Sequence, residues 1–200
     1  MSKMMHFELS GRVAKEMEAV AVVSSEDIDL WEFKWNLKIK GGVGYAARRL
    51  RVREGRREVY LHRVVMERMV GRRLKGWEIV DHVNGHGLDC SRGNLRVCGK
   101  GENGCNVGKR KGEWSSKYKG VYRAKNGTWM VKCVRGKSIH RFGPFYDEGE
   151  AAYVYNMMAT MLHGEFAWKN DIQGLWSEGF DTVFAEAEKT GYLPGFVALT

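Results

Sequence analysis

Between residues 7 and 60, apolar and polar residues alternate in short pieces, as in Arg12-Val13-Ala14 and Val20-Ala21-Val22-Val23, with Gly41-Gly42 and Gly44 as interruptions. A two-residue period broken by glycine predicts strands and turns, hence a β-rich lead-in. From His62 to Val70 the period changes. Val65, Met66 and Met69 recur with Arg63, Glu67 and Arg68 between them and Gly71 after them, the pattern of a short helix with a glycine stop. Farther on, residues 119–124, 128–134 and 137–142 read as three strands, with Asn126-Gly127 and Arg135-Gly136 as the turns between them. Asp147-Glu148-Gly149-Glu150 then has the form of an N-cap and capping box. Ala151, Ala152, Tyr155, Met158, Ala159 and Leu162 follow at helical spacing until Gly164. Leu175, Trp176, Phe180, Val183, Phe184 and Ala187 predict one more helical stripe, read as docking on the body of the protein.

These elements give an α+β chain of 200 residues in four parts. A β-rich region covers 1–60, a compact core 61–110, a three-stranded sheet with one helix 111–170, and a helical tail 171–200. Between the second and third parts, Gly99-Lys100-Gly101, Gly104, Gly108 and Gly112 with Lys109-Arg110-Lys111 read as a basic linker. No apolar run approaches the roughly 18–20 residues that span a bilayer, and Met1-Ser2-Lys3-Met4-Met5-His6-Phe7 lacks a signal peptide's apolar stretch. An intracellular, cytoplasmic protein without membrane partners is expected.

Charge sharpens the picture. The formal net charge is +9, and it is unevenly placed. Residues 48–75 hold 11 Lys/Arg against 3 Glu and residues 99–141 hold 12 against 2, whereas 147–200 carry 9 acidic residues against Lys169 and Lys189. Basic clusters of this density point to nucleic acid, since each neutralised phosphate releases counterions. Cys90, Cys98, Cys105 and Cys133 match no two-residue-gap zinc knuckle and are read as free thiols. The alternative, a structural zinc on Cys90, Cys98, Cys105 and His86, is the less favoured one.

The chemistry concentrates at Asp81-His82, with Asn84-Gly85 just after and Asn94 and Asn103 downstream. Hydrolysing a phosphodiester needs an activated water and a cation that stabilises charge on the phosphate and the leaving oxygen. His82 suits the first task, because an unperturbed imidazole is largely neutral at pH 7 and accepts a proton. The carboxylate of Asp81 and the amide oxygen of Asn103 suit the second, as hard oxygen ligands for Mg²⁺ or Mn²⁺. Asn94, donor and acceptor at once, suits tying the intervening loop together without adding charge. An Asp-His pair alone would read as a surface turn; the downstream asparagines make the difference. His62 reads either as a partly buried hydrogen-bonding residue or as a phosphate contact, and His86, His140 and His163 as structural or surface residues.

Asp81-His82-Val83-Asn84-Gly85, Leu88-Asp89, Asn94-Leu95-Arg96-Val97 and Glu102-Asn103 through Asn106 resemble the HNH endonucleases of the homing and phage type, in order. The upstream segments Leu61-His62-Arg63-Val64-Val65-Met66 and Asp27 to Trp35 extend the similarity over about residues 7–110. The resemblance implies a ββα-metal fold clasping one divalent cation, cleavage or nicking of double-stranded DNA, and a phage or other mobile element as the setting. It departs from the archetype at Asn103, where a His is more usual, and at His86 and Cys90.

A second resemblance lies downstream. Ser116 to Val121, Gly127-Thr128-Trp129, Gly143-Pro144-Phe145, Glu150-Ala151-Ala152, Tyr155 and His163 to Ala167 are similar to the DNA-binding domain of Apetala and ethylene-response factors, which phage HNH endonucleases also carry. That family lays its sheet in the major groove, a space that admits a two-stranded ribbon. Tyr122, Arg123, Lys132, Arg135, Lys137 and Arg141 on the strands and turns, with Lys109 and Arg110 in the linker, are the candidate DNA contacts, while Trp129 and Phe142 are assigned to the core. The reading is a metal-dependent DNA endonuclease with one site per chain, which suits nicking by a monomer. Its rivals are a DNA-binding regulator with a relic nuclease module and a structure-selective repair or packaging nuclease.

Overall fold

The structure is a computed structural model and describes residues 3–53 and 55–172; the tail stripe at Leu175–Ala187 lies outside the described residues. The chain divides into two compact units, 1–103 and 104–200.

In the first unit, β1 (Met4–Glu8) pairs antiparallel with β2 (Val20–Ser24), joined by α1 (Arg12–Glu16). Arg12-Val13-Ala14, expected as strand, is thus helical. Alternation over three residues cannot separate the two states, and the backbone bonds Lys15 N to Gly11 O and Met17 N to Val13 O close a helical turn that buries Ala14. A 3-10 segment at Ser25–Glu32 leads to a three-stranded antiparallel sheet in the order β3 (Asn36–Lys40), β4 (Val43–Val52), β5 (Gly55–Tyr60). Next comes α2 (Leu61–Val70), the expected short helix, ended by Gly71 in the left-handed conformation at φ 68°. Then β6 (Ile79–His82) and β7 (Leu95–Cys98) form an antiparallel hairpin, followed by the short α3 (Lys100–Cys105).

One core serves all of this. Leu9, Ala21, Val23, Leu30 and Trp35 from the first 35 residues pack with Leu61, Val65, Met66, Val80, Cys90 and Leu95. The apolar face of α2 therefore closes over the lead-in and the hairpin together. Arg63 fastens the chain between α2 and β6: it donates to the carbonyls of Leu74, Lys75 and Glu78, and Glu67 accepts from the Leu74 amide.

A second fastening is ionic. The carboxylate of Asp27 is 0 % exposed, and it accepts from Arg92 Nε at 2.7 Å, Arg92 Nη2 at 3.1 Å and Arg68 Nη1 at 3.3 Å. Arg68 also grips Asp29 with two bonds of 2.7 Å. The 3-10 segment, α2 and the turn entering β7 are thereby pinned at one point.

In the second unit, β8 (Val121–Arg123), β9 (Trp129–Arg135) and β10 (Ser138–Phe145) form an antiparallel sheet in the order β10-β9-β8, and α4 (Glu148–His163) packs on it, chiefly on β9. The Asp147 side chain caps α4 by accepting from the Glu150 amide at 2.9 Å. Val131, Cys133 and Phe142 face Ala151, Ala152, Tyr155, Met158 and Ala159. Gly120 sits at φ 75° where a Cβ would fall 2.0 Å from the Tyr155 ring, so the chain can enter β8 under the helix only as glycine. No helix among the described residues is long and apolar enough to cross a membrane.

Two outcomes follow for stability. Asp27→Ala should cost about 3 kcal/mol in chemical denaturation, the low end for breaking a buried ion pair, because the two guanidinium groups left behind are a third exposed. Glu78 concerns acid stability. The Arg72 fork, then the Lys75 amide, hold its carboxyl down at about 2, so folding gains from its ionisation at pH values above the unfolded carboxyl's range of roughly 4. That gain is lost as pH falls from there toward about 2. Glu78→Gln should lower the melting temperature at neutral pH and shrink its fall over that acid window.

Candidate active site

Every part of the first unit contributes to the end of β6. Asp81 and His82 are the last two residues of that strand, opposite Arg96 and Leu95 of β7, and both are buried. The loop between the strands is held by the amide of Asn94. Its Oδ1 accepts from the Asn84 amide at 2.9 Å, its Nδ2 donates to the Asp89 carbonyl at 2.8 Å, and its own carbonyl accepts from Val83 N at 2.9 Å. Asp89 continues the pattern with Oδ1 on Ser91 and Oδ2 on Asn84 Nδ2. A short polar side chain buried between two segments satisfies backbone groups that no strand would reach.

The loop is also seated on the rest of the unit. Val22 N donates to Leu88 O and Cys90 N donates to Val22 O, so residues 88–90 pair in parallel beside β2. Gly87 passes so close to β4 that a Cβ there would meet the Gly44 carbonyl at 2.5 Å and the Tyr45 ring at 2.7 Å. Only a residue without a side chain brings this loop so near Tyr45, and Tyr45 touches the site itself.

An aromatic collar surrounds His82. The His62 ring lies 5.0 Å from it, nearly perpendicular at 83°, and Tyr45 lies 6.0 Å from it. Tyr60 stacks on His62 at 5.5 Å and 25°, Tyr45 meets His62 edge-on at 5.6 Å, and the Lys40 ammonium stands 5.1 Å from the Tyr60 ring. Burial lowers the His82 pKa below its ordinary value, against the opposing pull of Asp81 and Asp89. The imidazole is therefore neutral at pH 7, as a proton acceptor requires.

Asp81 carries an ion pair that the sequence reading did not anticipate. Arg96 Nε and Nη2 both donate to its Oδ2, at 2.8 and 2.7 Å, from the directly opposed position on β7. Asn103 is half-buried in α3, where its amide donates to the Gly99 carbonyl at 3.0 Å. One carboxylate and one amide oxygen form the donor set of a hard divalent cation that keeps most of its own water, so the residues suit Mg²⁺ or Mn²⁺ in kind. With Arg96 on Oδ2, such an ion would share the carboxylate with a guanidinium.

Cys90 and Cys98 are buried free thiols; burial pushes both thiols up, Cys98 to about 11. His86 is exposed, and among the described residues no group of three or more His, Cys, Asp or Glu is arranged to hold a metal, so the zinc alternative has no site there.

In the second unit, strand alternation places Tyr122, Met130, Lys132, Val134, Ile139 and Arg141 on the sheet face away from α4, with Tyr122 opposite Met130 and Lys132 opposite Arg141. Arg123 belongs to the other face, where its guanidinium lies 5.6 Å from the Trp129 ring and donates to the Gly127 carbonyl. Arg135 and Lys137 are exposed at the β9–β10 turn. Lys109 donates to the Tyr118 carbonyl at 2.7 Å and lies over Trp114, while Arg110 is exposed.

The sequence reading missed Tyr45, Tyr60 and Arg96. The signal for Arg96 was present, since it lies two residues past Asn94 in a strand facing Asp81 with opposite charge. The tyrosines gave none, because they reach the site from a sheet some 20 to 40 residues upstream.

No solved structure gives a significant match to the chain. A protein of Acanthamoeba polyphaga mimivirus, named an uncharacterized HNH endonuclease, is 28 % identical over 149 residues, covering 72 % of this chain and 73 % of the relative. Residues 59–105, from the end of β5 through α3 and including Asp81, His82, Asn94 and Asn103, match the family model described as HNH endonuclease.

Proposed function

We propose that this protein is a metal-dependent DNA endonuclease of the homing type, nicking or cutting duplex DNA, with His82 as general base and Asp81 and Asn103 as the ligands of one divalent cation. The observation that carries the reading is the buried Asp81-His82 pair at a strand end, braced by Asn94, inside the segment that matches HNH endonucleases. When bound, the cation supplies charge stabilisation for the phosphate and the leaving oxygen. His82 takes a proton from the attacking water, and the collar of Tyr45 and His62 fixes its ring. Asn94 keeps the loop, and with it the strand end that carries His82, in one conformation, which spares the reaction the cost of ordering it.

Substrate reaches this point along a basic surface. On the face of the β3–β5 sheet that bears Tyr45, the register aligns Lys38, Lys40, Arg49 and Arg51 on β3 and β4 with Arg56, Glu58 and Tyr60 on β5; Glu58 takes up Lys38 at 3.1 Å, which leaves an excess of positive charge on Lys40, Arg49, Arg51 and Arg56. Cations leading to a nuclease centre neutralise the phosphates on either side of the bond to be cut. The second unit provides recognition. The face with Tyr122, Lys132 and Arg141 is open, and a sheet of this size fits the major groove. This is also how the Apetala-type resemblance would use it, in an element able to move between genomes and working inside a cell.

A second reading draws on Arg96. A guanidinium seated on Asp81 neutralises the carboxylate without a metal, which is the arrangement expected of a DNA-binding regulator whose nuclease module is a relic. Cleavage tests separate the two.

With supercoiled plasmid and Mg²⁺, the unaltered protein should nick, and His82→Ala should lose about 10²–10⁴-fold in rate with little change in DNA affinity, since a general base acts in the transition state. Asp81→Ala and Asn103→Ala should shift the Mg²⁺ titration to higher concentration. Unaltered metal dependence in both would remove them as ligands, and no nicking by the unaltered protein would leave the regulator. For recognition, Lys132→Ala or Arg141→Ala in the full chain should act in one of two ways. A phosphate contact lowers the slope of log affinity against log salt by about 0.9, and a base contact relaxes preference at one base pair by roughly 1–3 kcal/mol. Binding unchanged in both respects would remove the sheet face from recognition.

A further inference from the structure

We infer that His62 is a working group of this site: a neutral imidazole that donates its Nε2 hydrogen to a phosphate oxygen of the strand being cut. The inference rests on the nuclease reading and gives it a second histidine with a role opposite to that of His82.

Three observations lead there. The His62 ring is part of the site, in van der Waals reach of His82 and held on two further sides by Tyr60 and Tyr45. Its Nδ1 is buried and has no hydrogen-bond partner among the described residues. A buried nitrogen without an acceptor nearby is less costly as a bare lone pair than as an N–H, because orphaned donors are the rarer defect in folded proteins. The ring proton therefore sits on Nε2. That nitrogen is not sealed in: the side chain as a whole is half-buried, and Nδ1 is its only nitrogen enclosed without a partner.

Nε2 is thus a preorganised donor on the open side of the collar, beside the imidazole that accepts the proton from water. Burial first, then the neighbouring His82, Arg63 and Lys40, hold the pKa of His62 down at about 3, so the ring stays a neutral donor over the whole working range. Such a donor strengthens as negative charge grows on the phosphate oxygens, which is where stabilisation accelerates the step. The cations Lys40 and Arg49 on the adjoining sheet face supply the attraction that brings the phosphate to it.

Two experiments test this on the full chain. Imidazole ¹⁵N spectra of the protein without DNA or metal should show His62 as the Nε2–H tautomer; an Nδ1–H tautomer overturns the inference whatever the enzyme does. Second, in single-turnover nicking of supercoiled plasmid with Mg²⁺, His62→Phe keeps an aromatic ring and loses the donor, whereas His62→Gln keeps a donor at the place of Nε2 and loses the ring. His62→Phe should be slower by about 10²-fold or more, the effect of removing one transition-state donor, with plasmid affinity little changed, and His62→Gln should recover most of that loss. A Phe variant that nicks at the normal rate overturns the donor, and a Gln variant as slow as the Phe variant shows that the ring acts by packing, which overturns it as well. If His82→Ala nicks normally, it is the reading of the site that fails, and the tautomer result stands apart from it. Should either variant melt at a much lower temperature, the spectra of the unaltered protein decide.

Discussion

The arrangement of the first unit depends on burying one negative charge. Asp27 has no exposed surface, and a carboxylate taken out of water is tolerable only if its lone pairs are met by positive donors. Arg92 meets it with Nε and Nη2, and Arg68 with Nη1. Each of the three residues belongs to a different stretch of chain, so the cost of an unmatched charge penalises any packing in which the lead-in, α2 and the turn before Asn94 are not all in place. Apolar contacts among Val23, Leu61, Val65 and Leu95 supply the bulk of the stabilisation, but they are non-directional and tolerate sliding. The ionic clasp does not.

This fixes the site at one remove. Arg92 lies two residues before Asn94, and its amide is held by Ser24 Oγ at 3.0 Å, so the turn that presents Asn94 is anchored to β2 and to the clasp before any loop contact is counted. Asn94 then holds residues 84 and 89, and Gly87 lets the loop settle against Tyr45. His82 and Asp81 inherit their positions from this surround, which suits the role proposed for them, since a misplacement of about an ångström lowers a rate by some two orders of magnitude.

What the sequence made legible was whatever is local in the chain. Asp81, His82, Asn94 and Asn103 stood out as a motif within about 20 residues, and the structure places them at the end of β6, at the entry to β7 and on α3. The strands β8 to β10 and the capped helix α4 were readable from turn dipeptides, period and the Asp147 cap, each a matter of a few neighbouring residues. What failed was also local: three alternating residues at Arg12–Ala14 are too few to distinguish strand from helix, and the bonds across Gly11–Met17 decided for helix. The collar was invisible for a different reason. Tyr45 and Tyr60 reach His82 through the register of β4 and β5 and the turn into α2, and no period along the chain encodes a contact made by sheet pairing. Asp27 and its two arginines, 41 and 65 residues away, were unreadable for the same reason.

Along β9, core and outer surface alternate position by position. Val131 and Cys133 point to α4 while Met130, Lys132 and Val134 point away, so residues that hold the domain together and residues of the outer face are interleaved one by one. Substitutions at 130, 132 and 134 leave Val131 and Cys133 in place, and the converse holds. Outer chemistry and stability are in this way inherited on separate letters of the same word, and a lineage can rewrite the first while keeping the second.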